Sequence, residues 1–171
     1  ADELMRARES NDFSSLPYKG FLANISAEEF ASEFSSLLPD EISGFEFLQR
    51  YKISTDRVTQ IQPEKIYAVK VGAAHPVFEN HRIKKFLRLL QDYSGEEQTL
   101  IEMGKLMFES HESYSAVGLG NSYTDELVSM VKENGAGKNL YGARISGGGS
   151  GGTVAVLYEG EKGLAAAKEI V

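Results

Sequence analysis

The chain has 171 residues, 42% of them hydrophobic and 25% charged, enough for one sizeable core and too few for two independent ones, so a single globular domain is expected. A formal net charge of -7 argues against a surface made to grip nucleic acid phosphates or anionic lipid, because such binding depends on clustered Lys and Arg. There is no cysteine, which excludes disulfides, thiolate nucleophiles and Cys-ligated zinc; no secretory leader or bilayer-spanning apolar run is visible, so no membrane partner and a cytoplasmic setting are expected.

Residues 1–17, charge-rich and then FSSLP, read as a ragged lead-in, and the packed domain is expected over 18–171. Ser26 with Glu29 has the form of a capping box, and Phe30, Phe34, Leu37 and Leu38 follow at helical spacing until Pro39 ends the helix. A second short helix is expected from Asp40 to Tyr51. The alternating run Ile66 to Val71 reads as a strand. A long helix then opens with Pro76 in its first turn and carries Ile83, Phe86, Leu87 and Leu90 on one face.

Ser94-Gly95 breaks that helix, and another from about Glu97 to Ala116 places Leu100, Met103, Met107, His111 and Tyr114 on one stripe. A shorter helix fits Tyr123 to Glu133. The last third reads as strand Leu140–Ser146, a glycine turn, strand Thr153–Tyr158, and a helix from about Glu161 to Ile170. Two strands around a tight connection make a hairpin, and with several helices beside it the expected architecture is an α+β two-layer sandwich.

Five of the six positions from Gly147 to Gly152 are glycine, and only Ser150 carries a side chain. A flexible linker would have this composition, but a linker separates two bodies, and about twenty residues beyond the loop cannot make a second one. The pattern Gly148-Gly149-Ser150-Gly151-Gly152 also fits the G-x-S-x-G nucleophile elbow. That motif needs a helix after the serine and a later histidine, whereas β-branched TVAVLY follows and the last histidine is His111. The remaining reading is a backbone cradle: glycines permit positive φ and close approach, so successive N–H groups can face anionic oxygens. It is neither a Walker A loop, which requires a lysine, nor a dinucleotide fingerprint, which leads into a helix.

The run YGARISGGGSGGTVAVL from Tyr141 resembles the third signature motif of the GHMP kinases, the superfamily of galactokinase, homoserine kinase, mevalonate kinase and phosphomevalonate kinase. ANIS from Ala23, AAHPVFENHRIKKF from Ala73 and LMFESHESYSAVGLGNSYTDELV from Leu106 match in order. Together they resemble the C-terminal half of the galactokinase branch, nearest to plant-type L-arabinokinases, over about residues 18–171.

The resemblance implies a ferredoxin-like two-layer domain with a mostly antiparallel sheet, ATP and Mg²⁺ as cosubstrates, and phosphoryl transfer to the anomeric hydroxyl of a monosaccharide. It implies that the catalytic base and main nucleotide loop lie in an N-terminal half of the same kinase, which would be this domain's partner. The chain is expected to be a fragment of that kinase, inactive alone, with an unpaired sheet edge where the family has a further strand. Ser146, Gly147, Gly148, Gly149, Ser150, Gly151 and Gly152 are then the expected phosphate- or substrate-side loop, with no catalytic residue and no metal ligand in this half. A sugar- or partner-binding module that kept the fold without the chemistry is the alternative.

Gly118-Leu119-Gly120-Asn121-Ser122 mimics the absent phosphate loop but lacks its leading proline, so Asn121, Ser122 or Thr124 is expected as a helix cap. His75, Glu79 and His81 do not share one helical face, which disfavours zinc. His111, on an apolar stripe, is read as a satisfied core histidine, with support of the glycine loop from behind as the other role considered.

Overall fold

The computed structural model describes residues 9–10, 12–52, 54, 58–147 and 152–170. They group into two compact units, Ala1–Asn80 and His81–Val171. The fold is α+β, with short antiparallel ladders among helices. Among the described residues, no helix is long and apolar enough to cross a membrane.

In the first unit, Pro17–Gly20 is a tight turn with Tyr18 and Lys19 in the left-handed region, at φ +54° and +55°, and Leu22–Asn24 is a 3₁₀ turn. They lead to α1, which starts as the α-helical turn Ala27–Glu29, widens to a π-turn over Phe30–Phe34 and tightens to 3₁₀ over Ser35–Leu37. The expected cap is half present. Ser26 Oγ accepts from the Glu29 N–H at 3.1 Å, while the Glu29 carboxylate accepts from the Tyr18 hydroxyl. Phe30 packs edge-on against Phe78, with ring centroids 5.9 Å apart, in a cluster with Ile25 and Val77.

Three expected elements are corrected here. Residues expected to begin a helix at Asp40 instead form β1 (Glu41–Ser43), and α2 (Gly44–Tyr51) starts only after Ser43, whose Oγ accepts from the Glu46 N–H at 3.1 Å. The strand expected over Ile66 to Val71 stops as β2 (Ile66–Ala68), paired antiparallel with β1 through Ile42↔Tyr67. From Val69 the chain is already helical: α3 runs Val69–Asp92, with Pro76 inside it rather than at its start. The β-branched Val69 and Val71 yield to tertiary packing, since Ala73, Ala74, Val77 and Phe78 fall at helical spacing on the core of this unit. Pro76 leaves the Gly72 carbonyl without its helical donor, an interruption the long helix tolerates.

In the second unit, the apolar face of α3 is also not the expected one. Phe86 and Leu89 pack with Leu100, Met103 and Tyr141, whereas Ile83, Leu87 and Leu90 are about half exposed. The run LRLL offers leucines to two adjacent stripes, and the packing selects the one continued by Tyr93. Beyond it come α4 (Glu97–Ala116), α5 (Ser122–Asn134), β3 (Leu140–Ser146), β4 (Thr153–Tyr158) and α6 (Gly160–Ile170), close to the sequence reading.

β3 and β4 form the expected antiparallel hairpin, in register from Ser146↔Thr153 to Leu140↔Tyr158. Leu140 and Ala143 are three apart and would face opposite ways in a regular strand. A register shift between Leu140 and Gly142 brings both into one cluster with Val128, Val131 and Ala166.

Candidate functional site

The site is built on the seam between α4 and β3. Gly104 sits against the backbone of β3, so that a Cβ there would lie 1.7 Å from the Tyr141 carbonyl oxygen; one on Gly142 would lie 2.4 Å from the Gly104 Cα. With the two backbones in contact at that point, the elements keep pace: seven helical residues and three strand residues each advance about 10 Å. The residue seven beyond Gly104 is His111, and it meets Ile145, three beyond Gly142.

His111 is buried, 6% exposed, and both ring nitrogens are engaged. Its Nδ1 accepts from the Ile145 N–H at 3.2 Å, and its Nε2 lies 3.0 Å from Oδ1 of Asp125 on α5. The assigned tautomer follows from these partners: Nδ1 bare, Nε2 protonated and donating to the carboxylate. Ser115, one turn along α4, donates its hydroxyl to the same Asp125 oxygen at 3.0 Å. Tyr114 donates its hydroxyl to the carbonyl of Gly147 at 3.1 Å. Residues of α4 thus hold both the end of β3 and the first glycine of the connection.

The hairpin's described shoulders are open. Gly147 has φ +92° and Gly152 φ +122°, conformations that L side chains rarely adopt, and among the described residues a Cβ on either would meet nothing within 4 Å. Glycine is therefore favoured at both positions by backbone conformation, with room beside the backbone among the described residues. Ser146, the last residue of β3, is exposed. Gly148, Gly149, Ser150 and Gly151 of the expected loop lie outside the described residues.

Near the other glycine turn, Asn121 is the cap expected for α5: its Oδ1 accepts from the N–H groups of Tyr123 and Thr124, each at 3.1 Å. The Asp125 N–H goes to the Asn121 carbonyl at 3.0 Å. Those amides are engaged within the helix start, and Gly120 fits because a Cβ there would lie 2.3 Å from Ser115 Oγ. This turn orients Asp125 and Ser115 toward His111.

Sequence reasoning singled out His111 and put Tyr114 on its stripe, but gave Tyr114, Ser115 and Asp125 no part in the site. Tyr114 and Ser115 carried a signal, lying one turn beyond His111 on α4. Asp125 carried none, since only the crossing of α4 and α5 brings it near. Among the described residues, no three His, Asp or Glu side chains gather as a metal site. Tyr141, at the base of the seam, has its phenol held above the usual range by burial and then by the Glu97 carboxylate, to which its hydroxyl donates at 3.4 Å.

A family model for the GHMP kinases C terminal matches residues 79–171, a span that contains α4, the hairpin and every residue of this network. The chain is 40% identical over 157 residues to an L-arabinokinase of Arabidopsis thaliana, an alignment that takes in 88% of this chain and 15% of that protein. It is 36% identical over 108 residues to a galactokinase of Thermotoga neapolitana and 37% identical over 108 residues to one of Thermotoga petrophila, in each case over 62% of this chain and 29% of the relative. The matched region is thus under a third of the length of these relatives. On the family match and on identity along most of its length, the chain belongs to the GHMP kinases and carries their C-terminal region.

Proposed function

We propose that the chain is the C-terminal domain of an ATP-dependent sugar-1-kinase of the galactokinase or L-arabinokinase type. Such an enzyme transfers the γ-phosphoryl group to the anomeric hydroxyl of a monosaccharide. The observation that carries the reading is the β3–β4 hairpin: its shoulders, Gly147 and Gly152, combine positive-φ backbone with open space among the described residues, and the GHMP family match spans it. The names of the longer relatives support the sugar-kinase class.

Phosphoryl transfer needs little covalent chemistry from the protein and much positioning and charge stabilisation. The open backbone at Gly147 and Gly152 suits the approach of phosphate oxygens. In this reading Ser146 to Gly152 form one wall of the site, with N–H groups as the donors and the Ser146 and Ser150 hydroxyls as accessory ones. ATP would bind between this wall and the N-terminal half of the same kinase. The metal, like the base that accepts the sugar's proton, is assigned in this reading to that other half, as the resemblance to the GHMP kinases implies. His111, through Ile145, supports the wall without touching substrate. A chain without cysteine suits a cytoplasmic setting.

One wall cannot bind what two enclose, so the 171-residue chain alone is expected to show weak ATP affinity and no turnover. The test is phosphate transfer from ATP to L-arabinose and to galactose by the full-length parent. Formation of a sugar 1-phosphate with either substrate supports the reading. A folded parent that transfers phosphate to neither would favour a sugar- or partner-binding module instead.

A further inference from the structure

His111 joins β3 to α5 through chemically different bonds. A neutral imidazole has one acceptor nitrogen, and the Ile145 N–H occupies it; the ring hydrogen is on Nε2, facing Asp125. Protonation adds a hydrogen at Nδ1, opposite another N–H donor, and that backbone bond cannot persist. The imidazolium gains attraction to Asp125 while it releases Ile145, two residues before Gly147. Three other charged side chains lie near it, from α4, α5 and β3. Glu112 and Lys132 line the same concavity of about 250 Å³ and lie 3.4 Å from each other, and Arg144 donates its Nε to the Ile145 carbonyl at 3.0 Å.

We propose that Asp125 and His111 are positioning residues that hold the root of the β3–β4 hairpin, Ile145 to Gly147, in its kinase-competent place only while His111 is neutral. The consequence for turnover rests on the sugar-kinase reading; the proton-dependent release of the root does not. Tyr114, bound to the Gly147 carbonyl, carries the displacement back to α4.

The test is a pH titration of the ¹⁵N-labelled 171-residue chain followed by NMR. The Ile145 and Gly147 amide resonances are expected to move with the same midpoint as the His111 ring. Asp125→Asn keeps an oxygen for Nε2–H and Ser115 but loses the negative charge that favours the imidazolium, so the midpoint moves to lower pH. His111→Asn, whose side-chain oxygen can replace Nδ1 as acceptor, abolishes the transition at these two amides. Amides that ignore the His111 titration, or a midpoint unmoved by Asp125→Asn, overturn the proposal. In the full-length parent, kcat/KM should fall on its acid side at that midpoint, and the fall should shift with Asp125→Asn. Coupled amides with no such limb in turnover, in a parent that does phosphorylate sugar, overturn the positioning role. A parent that phosphorylates no sugar overturns the kinase reading itself and, with it, the role assigned in turnover, leaving the NMR coupling untouched.

Discussion

Gly104 and Gly142 lie where α4 meets β3 so closely that added methyl groups would strike backbone, whereas Gly147 and Gly152, a few residues along the same hairpin, have nothing among the described residues within 4 Å of such a methyl. Both pairs favour glycine, for opposite reasons. The first pair is fixed by packing and sets where the hairpin lies. The second is fixed by positive φ and leaves the backbone accessible. A close-packed seam that ends in an open backbone connection is a sensible construction for a site, because the rigid part places the part that meets a ligand.

Substitutions at the two pairs should therefore separate fold from function. Gly104→Val is expected to have the largest effect on stability. Its Cβ meets a carbonyl oxygen rather than a movable side chain, so we expect a loss of about 3 kcal/mol, a fall in Tm of roughly 10 °C for a chain of this length. A thermal melt within about 2 °C of the parent chain would show that the seam is looser than described.

Gly147→Ala should cost only about 1 kcal/mol in the same melt, the strain of a side chain at positive φ. Its effect on turnover in the full-length parent should be larger than its effect on stability. Equal losses in both measurements would erase the distinction between the pairs.

The seam should also have a pH signature. Tyr141 has its phenol raised by burial and by Glu97, so its contribution to stability is present below the unfolded value near 10 and is lost as pH rises through the higher folded value. Urea unfolding should show stability declining on the alkaline side, with the decline flattened in Tyr141→Phe. An unchanged alkaline decline in that variant would remove Tyr141 as its source. The smallest effect is expected from Ser150→Ala, with kcat reduced no more than severalfold, because backbone N–H groups rather than this hydroxyl are the proposed donors. A loss as large as that of a backbone-blocking variant would make the hydroxyl the principal contact.

The second unit was largely legible in the sequence because its signals are local and long. Leu100, Met103, Met107, His111 and Tyr114 mark α4 over about four turns, and TVAVLY after a glycine run marks the return strand of a hairpin. The first unit was less so. β1 and β2 are three residues each, and their pairing is decided by Ile42 and Tyr67 across an intervening helix, a contact that no window of sequence contains. The exposed stripe Ile83, Leu87 and Leu90 misled for a related reason: two adjacent faces of α3 were apolar, and only Tyr141 and Met103 on other elements decide between them. At the site, the glycine connection and His111 were visible by composition and spacing. Asp125 was not, because its place beside His111 depends on how α5 is set by the Asn121 cap and the Gly120 contact with Ser115.

The central claim is that the β3–β4 connection forms a phosphate-side wall in a sugar-1-kinase. Its most direct test is turnover of ATP with L-arabinose and galactose by the full-length parent and by Gly149→Val, with thermal melts of both. The account predicts sugar 1-phosphate from the parent, and turnover abolished in the variant at an essentially unchanged Tm. Normal turnover in the valine variant would contradict it.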